Sequence, residues 1–314
     1  LKKAAWVRRR FWVNFFSSGL IALGFVGALE LGVRAEPAQE IGFFDQGVQQ
    51  KSLTLSELQK VSPAQVVKVK NPIDGAVTEF RAFPVLPILK SIYGERFAAA
   101  DEVQLKCADG YQPTVSASRF RQRVGYLAYE RADGKSFVAT QKSPPKKTTV
   151  LGPFYLVWET GPSVAAVELD TAWPYQVVGV DLVEFKKKFS RIYPPEGASD
   201  SVKAGFLEFK QRCLKCHTVN GQGGDMGPEL NVPVNVTEYF DQKWLAQWIE
   251  NPSLVRRGAK MPSGVPDLLK AKPPHRSEAE TTEKRKQVVQ QILEYLSAMK
   301  AKKASPAELQ SSTD

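Results

Sequence analysis

Histidine occurs only twice and cysteine three times in this chain of 314 residues. Residues 36–187 contain no histidine and one cysteine, Cys107. A structural zinc site takes four side-chain ligands, and beyond Cys213, Cys216 and His217 only one other Cys and one other His exist to complete one. There is no internal repeat and no basic stripe interleaved with aromatics, which argues against a solenoid and against a nucleic-acid surface. The formal net charge is +10, but residues 1–35 carry six Lys/Arg and one acid. The remaining excess of about +5 fits an acidic protein partner or a membrane surface. With 43% apolar and 24% charged residues the chain is globular, and its length predicts about two domains.

The first 35 residues have the order of an export signal. Lys2, Lys3, Arg8, Arg9 and Arg10 precede an apolar run from Phe15 to Leu29, and Val33-Arg34-Ala35 resembles a cleavage site. An uncleaved membrane anchor is the alternative, although Glu30 ends the run short of the roughly 20 apolar residues a spanning helix needs. Both readings predict a body outside the cytoplasm, in the periplasm.

Between the leader and residue 187 the patterns are mixed. VVKVK (66–70), EVQLKC (102–107), GPFYLVW (152–158) and YQVVGVDLVEF (175–185) are β-rich runs bounded by turn formers. Ser52–Lys60 and Val85–Tyr93 have helical spacing, which predicts an α+β domain over 40–187. RIYPPEGASD (191–200), with two prolines and a glycine, reads as the end of a linker over 188–200. Beyond it the spacing is helical. Val202, Phe206, Phe209 and Cys213 share one face, with Ser199, Asp200 or Ser201 available as cap. Asp241–Glu250 and a segment with Val288, Ile292, Leu293, Tyr295, Leu296 and Met299 predict two more helices. These define an all-α domain over 201–300, followed by a flexible tail over 301–314.

The chemistry concentrates in Cys213-Leu-Lys-Cys216-His217. CxxCH is the attachment pattern of c-type haem. Two thiols bond the two porphyrin vinyl groups, and the next residue supplies an imidazole to iron. A thioredoxin-like CxxC would follow a strand, whereas here a helix precedes. A disulfide between Cys213 and Cys216 would leave His217 unexplained. Four side chains are candidates for the second axial position. Met261, in AKMPSG, follows a Trp-bearing helix and an Asn-Pro. Met226 lies nine residues after His217 on the same loop, Met299 is on the last helix, and His275 sits in a polar loop. Met261 is preferred, since Met/His ligation is usual for cytochromes c. Two protein ligands leave no open position for substrate, so electron transfer is expected rather than chemistry at iron. The exposed-type run Arg256, Arg257 and Lys260 beside Met261 is either a solvated loop or a basic rim for an acidic redox partner.

Residues 200–300 resemble a class I cytochrome c. Gly205 and Phe209 match the family's N-terminal helix, Tyr295-Leu296 its C-terminal helix, and GQGGDMGPEL (221–230) the loop after the haem motif. The resemblance implies that the two helices cross at Gly205 and that the Pro228 carbonyl accepts a hydrogen bond from His217. It also implies one covalent haem c attached outside the cytoplasm to an unfolded chain. That favours the ordinary secretory route over a twin-arginine signal at Arg8-Arg9-Arg10.

Residues 52–186 resemble the molybdopterin-binding fold of the sulfite oxidase family. LTLSEL (53–58), FRAFPVLPILKSIYG (80–94), CADGYQPTVSASRF (107–120), GPFYLVWE (152–159) and AWPYQVVGVDLVEF (172–185) carry the likeness. Catalytic members take a thiolate to molybdenum from the strand after the first phrase. Here that strand reads VVKVKNP and has no cysteine, so molybdopterin is not expected. Cys107 reads as a buried small residue, Asp109 and Tyr111 as a turn and its strand, and Trp158 and Trp173 as core aromatics. The expectation is a periplasmic monohaem electron-transfer protein without its own catalytic residues, whose front domain is a docking or assembly module. A molybdenum oxidoreductase feeding its own haem and a haem-based gas sensor are the alternatives.

Overall fold

A computed structural model describes residues 39–141, 147–159, 172–266 and 277–310. The leader and His275 lie outside the described residues. Among the described residues, no helix is long and apolar enough to cross a membrane.

The front half is α+β. One sheet has the order β2-β1-β11-β5-β6, formed by β1 (Glu40–Asp45), β2 (Val48–Thr54), β5 (Glu102–Cys107), β6 (Thr114–Ser116) and β11 (Val177–Val183). Strand β1 pairs with β11 in parallel, Phe43 opposite Val180, and the other pairings are antiparallel. A second, antiparallel sheet has the order β10-β7-β4-β3, from β3 (Gln65–Lys70), β4 (Val77–Pro84), β7 (Gly125–Arg131) and β10 (Tyr155–Trp158). Strands β8 (Val138–Thr140) and β9 (Thr148–Val150) pair as a separate ribbon.

Period-two alternation places the core. Ile41 and Phe43 of β1, Val103, Leu105 and Cys107 of β5, and Val180 and Leu182 of β11 share one buried cluster with Phe83, Leu127, Leu156 and Trp158 of the second sheet. The second sheet is buried on its other face too, where Phe80, Tyr126, Ala128, Tyr155 and Val157 form a separate cluster. Helices α1 (Leu55–Val61), α2 (Val85–Tyr93), α3 (Glu95–Ala99) and α4 (Ala117–Gln122) contribute Leu58, Ile88, Leu89, Phe97 and Phe120 to the first cluster. Helix α2 runs as its spacing predicts, with Val85, Ile88, Leu89 and Tyr93 buried.

Ser52–Lys60 is not one helix. Leu53 pairs with Ile41 in β2, and a capping box starts α1 one residue later. The Thr54 hydroxyl accepts from Glu57 N, and the Glu57 carboxylate accepts from Thr54 N at 2.8 Å. Likewise β10 begins at Tyr155 rather than Gly152, because Pro153 has no N–H to place in a ladder.

The back half gathers helices α5 (Phe185–Lys188), α6 (Asp200–Arg212), α7 (Val236–Tyr239), α8 (Gln242–Glu250), α9 (Pro252–Val255), α10 (Glu278–Ala298) and α11 (Pro306–Gln310), with one small ribbon. Ser199 caps α6, Asp241 caps α8, and Ser277 with Glu280 forms a capping box on α10. Helices α6 and α10 cross at Gly205, where a methyl group would sit 1.9 Å from the Gln291 carbonyl oxygen and 3.0 Å from Tyr295 Cβ. Absence of a side chain there lets the backbones touch. The Tyr295 ring then lies 5.7 Å from Phe206 and 5.1 Å from Phe209, centre to centre.

Two connecting segments carry fixed contacts. Within the 188–200 linker, Phe189 and Ile192 are buried in the second core, and the Ile192 carbonyl accepts from Tyr295 Oη at 2.7 Å. Their apolar side chains outweigh the two prolines that follow. The chain after 300 also makes contacts as far as residue 310. The Lys302 carbonyl accepts from Asn220 Nδ2 at 2.7 Å, and Pro306–Gln310 is helical.

Both halves belong to one compact unit. On the polar face of the first sheet, Asp181 is fully buried between Lys106 and Lys188, at 3.4 and 2.5 Å, and accepts from Gly47 N at 3.1 Å. Lys210 of α6 pairs with Glu102 at the start of β5 and lies 3.6 Å from the Phe185 ring centre.

Candidate functional site

The site begins where α6 ends. Cys213 N and Leu214 N both donate to the Phe209 carbonyl, and Cys216 N and His217 N both donate to Cys213 O at 3.0 Å. The motif is therefore a tight turn that puts Cys213, Cys216 and His217 on one short piece of backbone. The ribbon β12 (Thr218–Val219) and β13 (Gln222–Gly223) then reverses the chain over it. Gly224 N donates to Leu214 O at 2.8 Å and Gly227 N to Cys216 O at 2.7 Å. These approaches need glycine: a methyl at Gly224 would lie 2.2 Å from Lys215 O, and one at Gly227 would lie 2.5 Å from His217 Cε1.

His217 Nδ1 and the Pro228 carbonyl oxygen are 2.8 Å apart, so Nδ1 carries the donated hydrogen and Nε2 keeps its lone pair. Burial lowers the His217 pKa, opposed by the Pro228 bond, and favours the neutral imidazole that ligates metals. Cys213 and Cys216 are free and half-buried. Burial pushes the Cys213 thiol up to about 12 and raises that of Cys216.

Sequence reasoning missed the group that holds this loop. The Glu229 carboxylate accepts four backbone N–H bonds, from Asn220 (3.0 Å), Gly221 (2.9 Å), Asn231 (2.7 Å) and Val232 (3.3 Å). It is the residue next to Pro228, so it fixes the carbonyl that meets His217. Asn220, Asn231 and Asn235 are fully buried and linked in series. Their amides donate to the Lys302, Met299 and Leu296 carbonyls at 2.7, 3.0 and 2.7 Å. They thus satisfy the carbonyls left open where α10 ends. Three asparagines and a glutamate within sixteen loop residues were the available signal, but sequence spacing does not say which backbone groups they reach.

The sulfur candidates separate by position. Met299 is fully buried in the second core, and Met226 Sδ lies 4.0 Å from Cys216 Sγ on the motif's own side. Met261 is half-buried in a loop tied to the end of α8, where Gly264 N donates to Ile249 O at 2.7 Å and Ser263 Oγ to Glu250 O at 2.6 Å. Arg256, Arg257 and Lys260 are exposed beside it. In the front half, β3 is an edge strand without cysteine, and Cys107 faces the first core with its thiol pKa raised by burial. Trp158 is buried and Trp173 partly buried against both front clusters. Asp109–Tyr111 is a turn, and it touches the motif: Gln112 N donates to Lys215 O at 2.8 Å, and Asp225 N to Gly110 O at 3.1 Å.

No family model matches the chain, and a comparison with curated proteins found no match.

Proposed function

We propose that this is a periplasmic monohaem c-type cytochrome that passes single electrons, built from a class I cytochrome c domain behind a sulfite-oxidase-like domain that has become a docking or assembly module. The observation that carries the reading is the His217 Nδ1–Pro228 bond beside two free thiols. The residues present fit a covalently held haem. Gly227 leaves the imidazole face uncrowded, Nδ1 is occupied, and Nε2 is the nitrogen available to a metal.

Cys213 and Cys216 would hold the ring by thioethers, and His217 and Met261 would ligate the iron. Haem c, when bound, supplies a one-electron Fe(III)/Fe(II) couple. The protein's part is to keep the couple and its ligands still. Pro228 orients the imidazole and makes it a better donor, Glu229 fixes Pro228, and the α8 anchor points hold the Met261 loop. Arg256, Arg257 and Lys260 are exposed and pair with no carboxylate among the described residues, which suits an acidic redox partner. The enzyme alternative lacks support, since the front half's one thiol is packed in the core.

Mass spectrometry of protein matured in a host that attaches haem c tests the reading. One tetrapyrrole should be added to the native chain and none to a Cys213→Ser/Cys216→Ser variant. Met261→Ala should keep the haem but lose the near-infrared band of ferric sulfur ligation. A native chain without the added mass sinks the proposal.

A further inference from the structure

Two backbone hydrogen bonds cross from the front half to the two ends of the haem-motif loop, and both involve one turn. The carbonyl of Gly110 accepts from Asp225 N at 3.1 Å, and Gln112 N donates to Lys215 O, inside the motif, at 2.8 Å. Gly110 has φ +85°, a conformation glycine adopts without strain. Its lack of a side chain is used as well. A methyl there would stand 2.2 Å from Asp225 Oδ1 and 3.0 Å from Met226 N. Met226 in turn reaches Cys216, sulfur to sulfur at 4.0 Å. The turn itself is braced by its own sheet, with Gly110 N on Cys107 O and Tyr111 N on Asp109 Oδ1, each at 3.1 Å.

We infer that the Asp109–Gln112 turn of the front domain is a positioning part of the haem site, clamping Lys215 and Asp225 from outside the cytochrome-like half. This rests on the haem reading above and deepens it. The back half standing alone would leave Lys215 O and Asp225 N without these two partners. Here Lys215 C=O and Asp225 N–H are paired with a turn that is hydrogen-bonded to the end of β5, and a side chain at Gly110 would collide with Asp225. Coupling runs through packed backbone and does not require the front domain to bind a cofactor.

The test uses the full haem-loaded chain. In the native protein the amides of Gln112 and Asp225 should exchange with deuterium more slowly than those of exposed turns, because each is hydrogen-bonded across the two halves. Gly110→Ala should keep its covalent haem, because attachment precedes folding. It should nonetheless show a shifted midpoint potential and about fivefold easier displacement of the distal ligand by imidazole, the low end of coupling between packed sites. Gly134→Ala is the control for backbone strain alone: φ is +70° there and nothing lies within 4 Å of the added methyl. It should leave the haem signals unchanged. Gly110→Ala/Asp225→Ala removes the struck carboxylate and should recover part of the shift, which also covers the case in which the single variant folds poorly. Fast exchange at both amides in the native chain would overturn the inference without any variant. So would a Gly110→Ala protein whose potential and imidazole affinity match the native ones. If the native chain carries no covalent haem, the function proposed above fails first; haem present with an inert Gly110 turn brings down this inference alone.

Discussion

The two halves of this molecule are held by different kinds of bond. The front half closes on itself with alternating apolar strands, so that Ile41, Phe43, Leu105, Phe83 and Trp158 meet in one cluster and Phe80, Tyr155 and Val157 in another. The back half has apolar contact where α6 crosses α10, but its long loop is organised by polar groups: Glu229 on four amides and a buried series of asparagines. Area burial is non-directional and tolerates small shifts, whereas a carboxylate shared by four N–H groups fixes atoms. The half that carries the His217–Pro228 contact uses the second device.

That contrast can be broken most severely at Gly205. Gly205→Val places side-chain atoms inside contact distance of the Gln291 carbonyl, and α6 and α10 must separate. A loss of about 4 kcal/mol or more is expected, at the exceptional end of single substitutions. Amide exchange should show α6 and α10 opening while β4 and β7 stay protected. If both halves open together, the seam through Asp181 and Lys188 makes them one cooperative unit.

A smaller effect is expected at Glu229. Glu229→Ala leaves four N–H groups without their acceptor, and each buried unsatisfied donor costs about 1–3 kcal/mol before water relieves it. A net loss of about 3 kcal/mol in denaturant melts is the expected result. An unchanged midpoint of unfolding would show that the loop is held without its polar hub.

The smallest effect sharpens the comparison from the front side. Glu57 has its carboxyl pKa lowered by the Thr54 backbone bond first and its hydroxyl second. A lowered folded pKa means stability that is present above the ordinary carboxylate pKa and lost as pH falls through the folded value. Glu57→Gln should therefore be slightly less stable than the native chain at neutral pH. The two should converge in acid below the usual glutamate range, followed by thermal melts across pH. A constant gap at all pH values would assign the loss to geometry rather than charge.

Helix α2, a cap within Ser199–Ser201, and strands β3 and β5 were legible because periodicity and turn formers are local signals, and the structure selects Ser199 among the three cap candidates. The CLKCH turn is local in sequence, and its Pro228 contact, eleven residues from His217, was expected from the resemblance of 221–230 to a known loop rather than from spacing. What was not legible depends on distant pairing. The Asp109-Gly110 pair was readable as a turn, but its partner Asp225 is more than a hundred positions away. The first half of α10, EAETTEKRKQ, carries no apolar face, so its helicity comes from the Ser277 capping box and from continuity with the buried Val288–Met299 stretch. Proline content made 188–200 look like a tether, and only the second core reveals Phe189 and Ile192 as part of it.

The placement of those two side chains bears on how the protein can be divided. A recombinant piece beginning at residue 200 would discard Phe185, Phe189 and Ile192 and leave Tyr295 Oη without its acceptor. Its hydrophobic interior would be open along one side. A self-standing back-half fragment would have to begin before Phe185, and one that began after Asp181 would carry Lys188 without the aspartate that neutralises it.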